Sequence, residues 1–267
     1  MIDRPSLLGV PFDAASSFQR GASLGPAAIR QALYSTAGNL WTEDLTDLGA
    51  PEALEDAGDV NCDDPNGVRD RIEAAVASVI DSGHRPIILG GDHSITYPIL
   101  RGVRRYHPKL TIVHFDAHPD LYDEFQGDRF SHACPMARIM EEQLADRLVQ
   151  VGIRCMNGHQ KEQAERFGVE VIPMKDWREG WLPRVDGPVY LSIDLDVLDP
   201  AFAPGLSHPE PGGLSTRQLL TMIQRLDGTI IGSDIVELNP RNDPAGLTAR
   251  VVAKVVKEVA ARTSITT

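Results

Sequence analysis

At 267 residues, 42% of them hydrophobic and 24% charged, the chain has an ordinary globular composition and room for one large α/β domain or two small ones. A formal net charge of −12 argues against nucleic-acid and anionic-membrane partners, both of which require basic patches, and suits a small cationic one. No apolar run approaches the roughly 18 residues of a membrane helix, the start "MIDRPSLLGVPFD" lacks a basic stretch leading into a long apolar core, and Cys62, Cys134 and Cys155 form no CxxC pair, so a reducing, cytoplasmic setting is expected.

In chain order, the first apolar run is "SLLGV" (6–10). A helix is predicted over about 66–82, with Val68, Ile72, Val76, Val79 and Ile80 at steps of three and four and "GH" after Ser82 ending it. Further runs follow at "RPIILGG" (85–91), "LTIVHF" (110–115), "LVQVGI" (148–153), "VEVIPM" (169–174) and "PVYLSI" (188–193). "STRQLLTMIQRL" (215–226) reads as a helix with Ser215 as its N-cap, and "TIIGSDIV" (229–236) as another strand. A last helix, from about Pro244 to Ala261, carries Leu247, Val251, Val255 and Val259 at steps of four. The strands do not alternate with polar residues, so both of their faces are buried, as in parallel sheets. Strand and helix alternate from end to end. The expected fold is therefore α/β: one domain over 1–267, in three αβα layers around a doubly wound, mainly parallel sheet. Such sheets bind ligands at the carboxyl ends of their strands.

Four strands unload polar groups there. "IILGGDHS" delivers Asp92 and His93, and "TIVHFDAHPD" delivers Asp116, His118 and Asp120. "VYLSIDLDVLDP" delivers Asp194, Asp196 and Asp199, and "IIGSDIVELNP" delivers Asp234 and Glu237. Clustered carboxylates repel unless protons or cations intervene, and two imidazoles among them make a metal-ligand set. Six ligands are too many for one catalytic ion with an open position, so two neighbouring ions sharing carboxylates are the better count. Oxygen-rich ligands with some imidazole and no thiolate suit Mn²⁺ better than structural Zn²⁺, with Zn²⁺, Co²⁺ and Fe²⁺ as alternatives.

Together, "GGDHS" (90–94), "DAHPD" (116–120), "SIDLDVLDPAFAPG" (192–205), "PEPGGLS" (209–215) and "DIVELNP" (234–240), with "LLGVPFD" (7–13), resemble the ureohydrolases, the arginase and agmatinase family, over nearly the whole chain. "FAPGLSHPEPGGLS" and "NPRNDPAGLTARVVAKVV" look most like plant-type arginases. The resemblance implies two Mn²⁺, one held by His93, Asp116, Asp120 and Asp194, the other by Asp116, His118, Asp194 and Asp196. It implies a metal-activated water oriented by Asp120, a proton-shuttle histidine at His132 in "FSHACPMARIME" (130–141), and a carboxylate at Glu237 that pairs with the substrate guanidinium. From the residues alone, His132 also reads as a histidine at a helix start, and His114, Asp92 and Asp199 as satisfied turn or supporting groups.

His208 stands where many relatives carry threonine. It is expected either at Glu237 and the pocket wall or simply as a loop histidine. Asn157 and the loop 122–130 fall where arginases contact the amino-acid end of their substrate. The implied activity is hydrolysis of L-arginine to urea and L-ornithine, with agmatine or another guanidino compound as the alternative, in a homotrimer or homohexamer. Formiminoglutamate hydrolysis or a deacetylase-like amide cleavage on the same fold is disfavoured by Glu237, because a carboxylate there pairs with a cation.

Overall fold

The structure, a computed structural model, describes residues 4–264. The expected limits of the domain, residues 1 and 267, lie outside them. Eight strands make one sheet: β1 (Arg4–Gly9), β2 (Glu55–Asp59), β3 (His84–Leu89), β4 (Thr111–Phe115), β5 (Arg147–Ile153), β6 (Glu170–Pro173), β7 (Pro188–Asp194) and β8 (Thr229–Val236). Their order is β2-β1-β3-β8-β7-β4-β5-β6, and every pair is parallel. Each of the seven apolar runs forms a strand. The eighth, β2, is the polar "EDAGD" at the sheet edge, exposed along its length.

Helices cover both faces. On one lie α1 (Gly25–Leu33), α6 (Thr216–Arg225) and α7 (Leu247–Thr263). They bury Ile29, Leu219, Ile223, Val252, Val255 and Val259 with Ile87, Leu89, Val113 and Phe115 of the sheet. On the other lie α2 (Val68–Asp81), α3 (Thr96–Arg104), α4 (Pro135–Glu141) and α5 (Gly158–Phe167), which bury Ile72, Val76, Ile99, Val103 and Ile139 with Ile88 and Ile112. Successive strand residues thus feed opposite cores, which is why these strands read as continuous apolar runs.

Ser215 caps α6 in a reciprocal box with Gln218. α7 starts at Leu247, three residues later than its apolar spacing predicts. Gly246 takes φ 63°, and the Asp243 carboxylate accepts Thr248 N at 3.1 Å and Ala249 N at 2.9 Å, which closes the helix end there.

The sheet order places β3, β8, β7 and β4 side by side at its centre. These are the four strands whose ends carry the clustered carboxylates and imidazoles.

Candidate metal centre

β4 ends at Phe115, so the chain beyond it does not continue as an extended strand. Asp116 and its successors lie in the following loop, where Asp120 takes a left-handed φ of 51°. His114 is the odd member. Gln150 Nε2 donates to its Nδ1 at 3.0 Å, so its Nε2–H points at Asp116 Oδ2, 2.8 Å away. Both ring nitrogens are used, and His114 orients a carboxylate rather than joining the cluster.

His93 shows what the cluster needs. Ser192 Oγ donates its one proton to Asp234 Oδ1 at 2.8 Å, so it must accept from His93 Nε2–H at 3.0 Å. That leaves the Nδ1 lone pair facing carboxylate oxygens: Asp120 Oδ2 at 3.0 Å, Asp194 Oδ2 at 3.2 Å and Asp116 Oδ2 at 3.3 Å. None of these approaches has hydrogen-bond geometry, and Nδ1 is a buried atom without a hydrogen-bond partner. An imidazole nitrogen and three carboxylates converging on one point need positive charge between them, and around the neutral imidazole, whose one proton is on Nε2, a metal cation supplies it.

A second convergence lies beside the first. His118 Nδ1 is 2.8 Å from Asp196 Oδ2 and 3.5 Å from Asp116 Oδ1. Asp116 therefore turns one oxygen to each group. The carboxylates are aimed by main-chain donors: Asp196 N holds Asp194 Oδ1 at 2.9 Å, and Ala117 N holds Asp196 Oδ1 at 2.9 Å. Burial, followed by the charges of Asp196 and Asp116, pushes the Asp194 carboxyl well above the usual range. Burial and Asp116 raise Asp196 to about 6. These are the signs of negative charge gathered for a positive guest. The residues fit a pair of divalent cations.

Glu237, also at left-handed φ (69°), faces this cluster from the end of β8. Its Oε1 accepts His93 N at 2.9 Å and lies 2.9 Å from His132 Nδ1. Burial opposes the charge on His132, but Glu237, with Asp92 and Asp120 behind it, lifts the imidazole to about 9. His208 stands 5.2 Å from the His132 ring and 5.4 Å from Phe18, on the wall of the cleft, and burial with the neighbouring His132 lowers its pKa. Asp92, fully buried, holds the loop after β1 by accepting Ala15 N at 3.0 Å. Gly91 lets that loop pass, since a Cβ there would lie 1.8 Å from Phe12 O. Asp199 accepts Ala201 N and Gly212 N in a turn away from the cluster.

The cleft over the cluster has a volume of about 740 Å³, open mouth included. His118, Asp120, His132, Asp194, Asp196, His208 and Glu237 line it. Asn157 does not; its carbonyl oxygen accepts Gln160 N at 2.9 Å as the N-cap of α5, and its amide donates to Tyr122 OH at 2.7 Å. Tyr122 and Phe125 form the outer wall, so the loop 122–130 reaches the cleft while Asn157 supports it from behind. Buried Arg138 of α4 pins that loop through Asp123 O at 2.6 Å and Arg129 O at 3.2 Å. Ser17, Cys155 and Gln160 also line the cleft without having been singled out in the sequence. Cys155 follows the end of β5, the one signal that could have found it, and Ser17 has no such signal.

The family model of the arginase family matches residues 4–261. Arginase 1, mitochondrial, of Arabidopsis thaliana is 44% identical, covering 97% of this chain and 81% of that protein. The mitochondrial agmatinase of Gallus gallus is 36% identical, covering 95% and 79%. The solved arginase of Medicago truncatula superposes with a TM-score of 0.92 at 41% identity, covering 99% of this chain and 88% of that one. The plant relatives also correct the expected location. They are named mitochondrial or chloroplastic/mitochondrial and point to an organelle, not the cytoplasm. The expectation failed because lacking secretory-signal chemistry says nothing of organelle targeting, which uses a different, amphipathic and arginine-rich chemistry.

Proposed function

The chain belongs to the arginase family, and from that premise we propose that it hydrolyses the guanidinium of L-arginine to urea and L-ornithine, as one ureohydrolase domain holding two Mn²⁺. The observation that carries the reading is Asp116, with one oxygen turned to the His93 group and the other to the His118 group. His93, Asp116, Asp120 and Asp194 would hold one ion, and Asp116, His118, Asp194 and Asp196 the other. The donor set of carboxylate oxygens and two imidazoles, with no thiolate, favours manganese. When bound, the pair supplies water acidified toward neutral pH.

The protein's own groups do the rest. Glu237 accepts the guanidinium through Oε2, since Oε1 already takes His93 N and faces His132 Nδ1, and its charge holds the cation in place. Asp120, on the floor of the cleft, accepts a hydrogen bond from the attacking water and sets its direction. His132, held charged by Glu237, is the acid that protonates the leaving amine. His208 and the Tyr122–Phe125 wall enclose the substrate chain. His132→Asn is expected to keep both ions and lower turnover by roughly 10²–10⁴-fold. Turnover within a few-fold of the parent would remove His132 from the reaction.

One observation favours a second substrate. Among the described residues that line the cleft there is no lysine or arginine, and the one charged imidazole, His132, is already paired with Glu237, so no free cationic side chain there meets a substrate carboxylate. Agmatine, which lacks that carboxylate, is the alternative. Urea release from a panel of guanidines, with and without Mn²⁺, decides between them. Arginine is expected to be the faster substrate and chelation to abolish release; preference for agmatine or another guanidine would replace the first reading.

A further inference from the structure

His132 has no nitrogen facing the carboxylate cluster. Its Nδ1 is spent on Glu237 Oε1 at 2.9 Å, and its Nε2 lies 2.8 Å from Ser17 Oγ. Ser17, like His132, lines the cleft that also exposes Asp120, Asp194 and Asp196. We propose that Ser17 relays the proton between His132 and the leaving amine, a role that rests on the reading of His132 as the acid.

The hydrogen count supports this direction. A charged His132 donates Nδ1–H to Glu237 and Nε2–H to Ser17 Oγ. The serine's own O–H is then not needed by the imidazole and is free to point into the cleft. In the transfer, the Ser17 O–H bond breaks as its proton forms an N–H bond on the departing amine. The Nε2–H bond of His132 breaks as that proton replaces the first on Oγ. Ser17 ends unchanged, His132 ends neutral, and the amine leaves protonated. Solvent restores the imidazolium by the reverse route.

Ser17 is built into place. Its loop is tied down by Ala15 N and Ser16 Oγ on Asp92 Oδ2, at 3.0 and 3.3 Å, and by Asp92 N on Phe12 O at 2.8 Å. His132 N in turn donates to Ala15 O at 3.2 Å. Since Asp92 adjoins His93, whose N–H binds Glu237, the hydrogen bonds close a ring through Asp92, the 12–17 loop, His132 and Glu237. The charged and titratable groups around the imidazole include Glu237, Asp92, Asp120 and His208, and the hydrogen-bond partner of Nε2 is Ser17 Oγ.

The test uses the metal-loaded enzyme and three single variants, Ser17→Ala, Ser17→Thr and His132→Asn, with the Ser17→Ala/His132→Asn double variant. Each is measured for kcat, KM, metal content and the proton inventory of kcat in H2O/D2O mixtures. Ser17→Ala should keep its metal and a KM within about two-fold, yet lose roughly tenfold or more in kcat, with a residual rate from direct transfer of the single His132 proton. The inventory should pass from curved, with two protons in flight, to linear. Ser17→Thr, which keeps the hydroxyl, should restore most of the rate, and Ser17→Ala should add nothing on top of His132→Asn. An unchanged rate and inventory in Ser17→Ala, with His132→Asn slow, would overturn the relay and leave His132 standing as the acid. Near-normal turnover in His132→Asn would overturn both. Loss of metal in both serine variants would overturn the relay in favour of a purely structural serine.

Discussion

Asp116→Ala is expected to empty both halves of the centre at once. Among the described residues Asp116 is the carboxylate that turns one oxygen to His93 and the other to His118, so its removal takes a donor from each group, and Asp194, proposed for both ions, should behave alike. Asp120 reaches only the His93 group, and Asp196 faces His118. Metal counts should therefore separate the variants: Asp120→Ala and Asp196→Ala each retain one ion, and Asp116→Ala retains neither. Losing the acidified water is worth several kcal/mol, so Asp116→Ala should fall by roughly 10³-fold or more in turnover. Stability supplies an independent check. Binding to the folded state alone stabilises by about 2.7 kcal/mol when metal is at a hundred times its dissociation constant. Chelation should thus lower the Tm of the parent enzyme and leave that of Asp116→Ala nearly unchanged. An Asp116→Ala enzyme that still holds two ions would break the bridging assignment.

Glu237→Gln is the second large effect. On the proposed reading, a guanidinium entering a partly desolvated cleft beside two divalent ions is repelled by them, and a charged acceptor must hold it there. Glutamine keeps the shape, and its carbonyl oxygen can still accept His93 N, so the fold and both ions should persist. It lacks the charge and the second acceptor. The loss of a desolvated, charged partner should cost about 2–5 kcal/mol in transition-state binding on every guanidine substrate. The same substitution removes the main influence raising His132. Burial, which opposes the charged imidazole, remains, so the His132 pKa should fall from about 9, as ring-proton NMR of the metal-free protein would show. A Glu237→Gln enzyme with near-normal turnover on one substrate, altered only in its arginine-to-agmatine ratio, would make Glu237 a contact for the substrate's far end.

The sheet was legible because parallel strands buried on both faces must be apolar throughout, and seven such runs stand out. β2 was not. An edge strand paired only to β1 and exposed along "EDAGD" needs no apolar side chains, and its composition is that of a turn. The cluster of carboxylates and imidazoles was legible because its members stand at or after strand ends and the doubly wound order brings those ends together. What the sequence does not carry is aim. His114 was legible as a supporting histidine but not what it supports: the strand stops at Phe115, and Gln150, from the neighbouring β5, turns His114 onto Asp116. Asn157 was placed at the substrate, whereas its local partner Gln160 makes it a helix cap. Ser17 became visible only through a partner 115 positions away.

The central claim is a pair of ions held by one shared carboxylate set. Elemental analysis of the fully active enzyme, with urea release measured on the same sample, tests it most directly. The proposed reading predicts two manganese ions per chain, lost together with activity on chelation. One ion per chain, or none, in a fully active sample would contradict it.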